Sequence, residues 1–232
     1  MTWPYPVFML AAILTGVAVS RLQGDRLALA PRQRLAVALG AFVGGMVGAK
    51  LPYVFLDWAR LVSGEAWLDA GKTITTGLVG GYFGVEVAKR AAGIRVKTGD
   101  ALCVPLAAAI AVGRIACFVG GCCYGVETSL PFGVDFGDGV HRHPTQLYEV
   151  AFHATAAVVL ALLRRRGRFR TNLVKLYIVA YLVYRFATEF IRPEPRVVLG
   201  LTLYQVAALV FIPLFLGLAW RDRARTVAVS AS

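Results

Sequence analysis

Seven apolar runs divide this chain, at about Pro4–Ser20, Leu35–Leu56, Thr73–Ala92, Ala101–Val119, Leu147–Leu163, Leu173–Ile191 and Leu199–Trp220. A helix needs roughly 17–25 residues to cross hydrocarbon, and several of these runs only just reach that length. A water-soluble core cannot absorb so many of them: of 232 residues 58% are hydrophobic and 16% charged, and mean hydropathy is +0.64. Inside a bilayer no water is available to the backbone, so a spanning segment must satisfy its own N–H and C=O groups as a helix. The runs therefore predict an all-α, polytopic membrane protein: about seven transmembrane helices around a central polar cavity, in one domain over residues 1–232. Pro105 and the many glycines should bend or close-pack these helices rather than end them. No basic segment precedes the first run, which is read as a span and not as a cleavable leader.

Charge orients the runs. The net charge of +12 could point to nucleic acid, but the positions of the charges exclude that reading. Arg21, Arg26, Arg32 and Arg34 fill the first loop; Lys89, Arg90, Arg95 and Lys97 the third; Arg164, Arg165, Arg166, Arg168 and Arg170 the fifth. With Arg221, Arg223 and Arg225 in the tail this makes sixteen basic residues. The alternate loops hold five, Arg60, Lys72, Arg142, Arg192 and Arg196, and most of the loop carboxylates: Asp57, Glu65, Asp69, Glu127, Asp135, Asp138 and Glu194. Basic loops stay cytoplasmic, beside anionic lipid. The N-terminus and the loop Tyr124–Gln146 are expected outside, and the C-terminus in the cytoplasm. Gly40, Gly44, Gly45 and Gly48 in the second run, and Gly77, Gly80, Gly81 and Gly84 in the third, have the small-residue spacing of two closely packed helices.

Lys50, Glu86, Arg114, Glu149, Arg185 and Glu189 remain inside or at the edges of the runs. Interhelical ion pairing could account for some of them. Each is costly in hydrocarbon, so six together favour a water-accessible cavity that holds a ligand. Arg185 and Glu189 are four apart and share a helical face, with Tyr181 and Arg192 nearby. Arg114 and Arg185 could fork onto one phosphate, which the planar guanidinium suits. His143, Gln146, Tyr148 and Glu149 form a dense polar knot at the entrance to the fifth run. Cys103, Cys117, Cys122 and Cys123 do not form a secreted disulfide framework. Cys117, Cys122 and Cys123 with His141 and His143 match no common zinc spacing, and small cysteines packed on a helix are the preferred reading. No metal and no cofactor are expected.

Three segments, GRIACFVGGCCYG (113–125), HRHPTQLYE (141–149) and YRFATEFIRPEP (184–195), together resemble the prolipoprotein diacylglyceryl transferase family. The resemblance covers nearly the whole chain, and the combination of motifs is quite specific. It implies a multi-pass enzyme of the bacterial inner (plasma) membrane. Its partners would be phosphatidylglycerol, surrounding membrane lipids and the signal peptide of a preprolipoprotein, whose lipobox cysteine receives the diacylglyceryl group as glycerol phosphate departs. It implies roles at Arg114, Gly125, Arg185, Glu189 and Tyr181. Thr75 stands where the family pattern has a histidine, and Cys117 and Cys122 where it has an asparagine and a glutamate, which suggests a divergent, cysteine-containing branch. The reaction needs a thiolate and positive charge on the departing phosphate. Arg114 and Arg185 suit the second task; Glu189, His143 and Glu149 are open candidates for the base. Gln146, Tyr148, Glu149, Tyr181, Arg192, Gly125 and Thr75 are expected around the substrate. A related transferase with another acceptor, or an anion-binding transporter, are the alternatives.

Overall fold

The computed structural model describes residues 4–24, 29–56, 59, 62–64 and 73–230. Arg26, Asp57, Arg60, Glu65, Asp69 and Lys72, counted above as loop charges, lie outside the described residues. Each apolar run forms a helix: α1 (Pro4–Leu22), α2 (Pro31–Leu56), α3 (Ile74–Ala91), α4 (Gly99–Val119), α5 (Thr145–Arg165), α6 (Leu173–Thr188) and α7 (Leu203–Ser230). Two small hairpins interrupt them, β1 (Val134–Asp135) with β2 (His141–Arg142) and β3 (Arg196–Val198) with β4 (Leu201–Thr202), both antiparallel.

Five of the helices are long and apolar enough to cross a membrane, with spans at Tyr5–Leu22, Pro31–Pro52, Gly99–Val119, Thr145–Arg165 and Leu203–Ala224. The other two of the seven expected spans, α3 and α6, fall short of that length and composition among the described residues. The 18 residues of α3 include Glu86, Lys89 and Arg90, and α6 has only 16 residues before the chain tightens into a 3-10 turn at Glu189–Ile191. The last run also starts later than expected. Leu199 and Gly200 take positive φ (50° and 74°) to turn β3 into β4, and α7 begins only at Leu203. Thr202 and Gln205 cap it reciprocally: the Gln205 N–H donates to Thr202 Oγ1 (3.3 Å) and the Thr202 N–H to Gln205 Oε1 (3.1 Å).

α2 lies along α3, α1 along α4, α4 along α5 and α6 along α7. The α2–α3 seam is the glycine spacing read above. A Cβ added to Gly80 would meet the Gly44 carbonyl oxygen and sit 2.8 Å from Gly48 Cα; one on Gly40 would sit 2.6 Å from Ala88 Cβ. The two backbones touch because neither carries a side chain there. The main core gathers Tyr177, Ile178, Tyr181 and Leu182 of α6 with Cys103 and Ala107 of α4, Leu160 of α5, and Ala208 and Phe215 of α7. At the other end from the hairpins, Asp222 of α7 accepts from Lys175 (2.8 Å) and Lys97 (2.5 Å). Asp100 of α4 also accepts the Leu173 N–H at 3.0 Å, closing the first turn of α6.

Candidate active site

Neighbouring helices run in opposite directions, so the end of α4, the start of α5, the end of α6 and the starts of α3 and α7 meet at one end of the bundle. The buried charge collects there. Arg114, five residues from the end of α4, donates through Nη2 to Glu149 Oε1 and places Nε beside Oε2, both at 2.9 Å. Arg185 of α6 reaches the same Oε1 with Nη1 at 3.4 Å and pairs with Glu189 Oε2 through Nη2 at 2.9 Å. The Tyr181 hydroxyl donates to Glu149 Oε2 at 3.4 Å. Arg185 also lies over the Tyr204 ring, 5.0 Å from its centre. One carboxylate thus bridges two guanidiniums, in a place where Glu149 is 2% exposed, Arg185 5% and Arg114 6%.

A cavity of about 40 Å³ opens against this pair. Arg114, Glu149, Tyr181 and Arg185 line it together with Thr75, Arg192, Tyr204 and Cys123. Thr73 and Ile74 complete it, so the first turn of α3, the positive end of its helix dipole, faces the same space. The expected polar cavity therefore exists, but near one end of the bundle and not at its centre. A second, larger cavity of about 520 Å³ runs between α5 and α6, lined by Tyr148, Phe152, Val159, Leu160, Tyr177 and Tyr184 among others. It is apolar for most of its length.

Arg192, which lines the small cavity, and the remaining expected site residues, which do not, hold this end together. His143 Nδ1 lies 3.1 Å from the Tyr148 hydroxyl, and Tyr148 borders the apolar groove. Gln146 is buried and donates to the Cys122 carbonyl at 2.6 Å. Arg192 donates to the Cys123 carbonyl and, at 2.9 Å, to Thr145 Oγ1. Gly125 is needed for close approach: its N–H donates to the His143 carbonyl at 2.8 Å, and a Cβ would sit 2.6 Å from the Ile191 oxygen. Glu189 is buried against Arg185, behind the cavity wall.

Two features lie beyond the sequence reading. His153, one turn below Glu149 on α5, is fully buried with Nδ1 2.8 Å from the Tyr177 hydroxyl; the i, i+4 spacing from Glu149 was the available signal. The cysteines also differ from expectation. Cys103 is buried as a packing residue should be, but Cys117 and Cys122 are half-buried and Cys123 is exposed. Burial in the core accounts for Cys103 and leaves Cys123 unaccounted for.

The β1–β2 hairpin lies in the loop that joins α4 to α5. Asp135 Oδ1 accepts the N–H groups of Gly137 (2.8 Å), Asp138 (3.1 Å) and Gly139 (3.0 Å). The Gly137 N–H above all, then those of Gly139 and Asp138, hold the Asp135 carboxyl below the usual range. Arg142, 2.6 Å from Asp138 Oδ1, does the same for Asp138.

The apolar helices and the guanidinium–carboxylate knot at their end define a multi-pass membrane protein with two buried arginines gathered on one carboxylate. A family model described as prolipoprotein diacylglyceryl transferase matches residues 2–221. The chain belongs to the prolipoprotein diacylglyceryl transferase family. It is 33% identical over 170 residues to a phosphatidylglycerol–prolipoprotein diacylglyceryl transferase of Clostridium tetani, covering 69% of this chain and 68% of the relative. A protein of the same name from Clostridioides difficile is 26% identical over 211 residues (89% and 85%), and one from Geobacter sulfurreducens 31% over 228 (92% and 86%).

Proposed function

We propose that this chain transfers the diacylglyceryl group of phosphatidylglycerol to the lipobox cysteine thiol of a preprolipoprotein, at the outer face of the bacterial inner membrane. The observation that carries the reading is the shared carboxylate. Arg114 and Arg185 both point their N–H groups at Glu149, so two forks already converge on one anion. A lipid phosphate is a better match for two guanidiniums than a single carboxylate is. On entry it takes over the forks, aided by the positive end of α3, and Glu149 withdraws to enlarge a cavity of only about 40 Å³. The acyl chains lie in the apolar groove between α5 and α6, whose lining includes Tyr184, the residue before Arg185 on α6.

As the thiolate attacks the glycerol carbon, the C–O bond breaks and its electrons move to the phosphate. Two buried guanidiniums stabilise that charge more than they would in water. Of the candidate bases Glu149 alone borders the cavity; Glu189 lies behind Arg185 and His143 at the rim. The seven-span topology with the N-terminus outside belongs to the same reading and rests on the alternation of basic loops. The test is transfer from phosphatidylglycerol vesicles to a synthetic lipobox peptide by purified, monodisperse protein. Arg114→Ala and Arg185→Lys should stay folded and each lose roughly a hundredfold in rate, whereas Arg166→Ala should be silent. Full activity in both arginine variants, or none in the wild type, would overturn the reading.

A further inference from the structure

Cys117 lies in the last turn of α4, and the chain then folds back on it. Gly121 and Cys123 both take left-handed backbone, with φ of 62° and 64°, and the Cys122 N–H donates to the Cys117 carbonyl at 3.1 Å. The fold-back brings the three sulfur atoms within 4.8 Å of one another. The turn is firmly held. Gln146 donates to the Cys122 carbonyl, and Thr145 and Arg192 donate to that of Cys123. A left-handed cysteine is strained, and such strain persists only where the surroundings fix it. The result is three thiols on one side of a point, half-open to solvent, with Cys123 on the wall of the cavity that faces Arg114 and Arg185.

We propose that Cys117, Cys122 and Cys123 bind a thiophilic divalent ion, zinc by its chemistry, and that the ion's open fourth position takes the acceptor thiol. The second half rests on the transferase reading above; the first does not. Zinc–sulfur bonds of about 2.3 Å in a tetrahedral site set the sulfurs roughly 3.8 Å apart, so the thiols need to close by about 1 Å, within the reach of side-chain rotation. Three protein ligands with one position left open is the pattern of a catalytic site, not of a closed structural one. Three thiolates around a divalent ion leave one negative charge. Arg114 lies ready to offset it, with Nη1 3.6 Å from Cys117 Sγ.

The step balances without a further reactant. The acceptor thiol loses its proton to water on binding the ion, because a coordinated thiol is deprotonated outright. The bound thiolate forms the new C–S bond, the glycerol C–O bond breaks, and the electron pair leaves with the phosphate held by the arginines. This supplies thiolate in a cavity that no imidazole lines among the described residues.

The experiment uses full-length protein in detergent, stripped with chelator and titrated with Zn²⁺ or Co²⁺. About one ion per chain should bind, and the cobalt form should show thiolate-to-metal charge transfer. Cys123→Ser, the mildest change because its side chain is exposed, should weaken binding tenfold or more while the protein stays monodisperse. Adding a lipobox peptide should strengthen the charge-transfer band, and the same peptide with serine for cysteine should not. Chelation should stop transfer and zinc restore it. If the chain transfers lipid at full rate after stripping and holds no more zinc than a triple Cys→Ser variant, the metal site is wrong and the transferase reading stands. If zinc binds through the cysteines but neither peptide changes the band and no transfer occurs, the site stands, and both its catalytic role and the transferase reading fail.

Discussion

At the scale of single residues, the unusual one is Glu149. It is almost fully buried and answers two arginines at once, so neither cation is left uncompensated. Arg114 comes from α4 and Arg185 from α6, and this carboxylate contacts both. Glu149→Gln keeps the shape and removes the charge, leaving two buried guanidiniums facing each other. Breaking a buried ion pair from one side costs about 3–5 kcal/mol. The variant should therefore unfold at lower temperature in detergent, and added phosphatidylglycerol should recover part of the loss by giving the arginines another anion. A melting curve with and without the lipid checks this; an unchanged midpoint in both would mean that the bridge carries no stability.

The elements differ in what holds them. α2 and α3 are joined by glycine backbone, and neighbouring glycines on α3 have different duties. A Cβ on Gly80 would push against Gly44 and Gly48, whereas one on Gly81 would rest 3.5 Å from the Ala41 oxygen, an ordinary contact. Both changes gain the same helix propensity. Gly80→Ala should nevertheless cost roughly 1–3 kcal/mol through forced separation, and Gly81→Ala should be neutral or stabilising; comparing unfolding midpoints of the pair decides it. The β1–β2 hairpin depends on charge. The Asp135 carboxyl is held below its usual range by the Gly137 N–H and its neighbours, so the stability that it lends is complete above the ordinary carboxylate pKa of about 3.9. It is lost as pH falls through the lower folded value. Protection of the Gly137 and Gly139 amides, taken relative to their intrinsic exchange rate at each pH, should hold through mildly acidic pH and fall only in stronger acid, while Asp135→Ala should lack it throughout.

For the whole molecule, the sixteen-to-five division of basic residues between alternate loops makes an orientation that labelling can test. A cysteine at Arg168, between α5 and α6, should resist an impermeant maleimide in intact cells and react after lysis. One at Ser129, in the loop before β1, should react from outside, above the labelling of the parent chain. The reverse pattern would invert the molecule and put the arginine cavity on the cytoplasmic side, where no lipobox cysteine awaits transfer.

The helices, their approximate limits, the glycine seam and the expensive charges were all legible in the residues. The reason is local: a bilayer forces each apolar run to satisfy its own backbone, and hydropathy and small-residue spacing are properties of neighbours in sequence. Arg185 with Glu189 was legible on the same ground, being one helical turn apart. The partner of Arg114 was not, because Glu149 lies 35 positions away and meets it only where α4 packs on α5. The tertiary structure alone decided that one carboxylate serves both arginines and that His143 stands at the rim while His153 is sealed inside. It also decided that three cysteines converge although their spacing matches no familiar site. That last point turned on two left-handed residues, Gly121 and Cys123. The chain reverses through them, and no periodicity in sequence records a reversal held in place by the side chains of Thr145, Gln146 and Arg192 from another part of the chain.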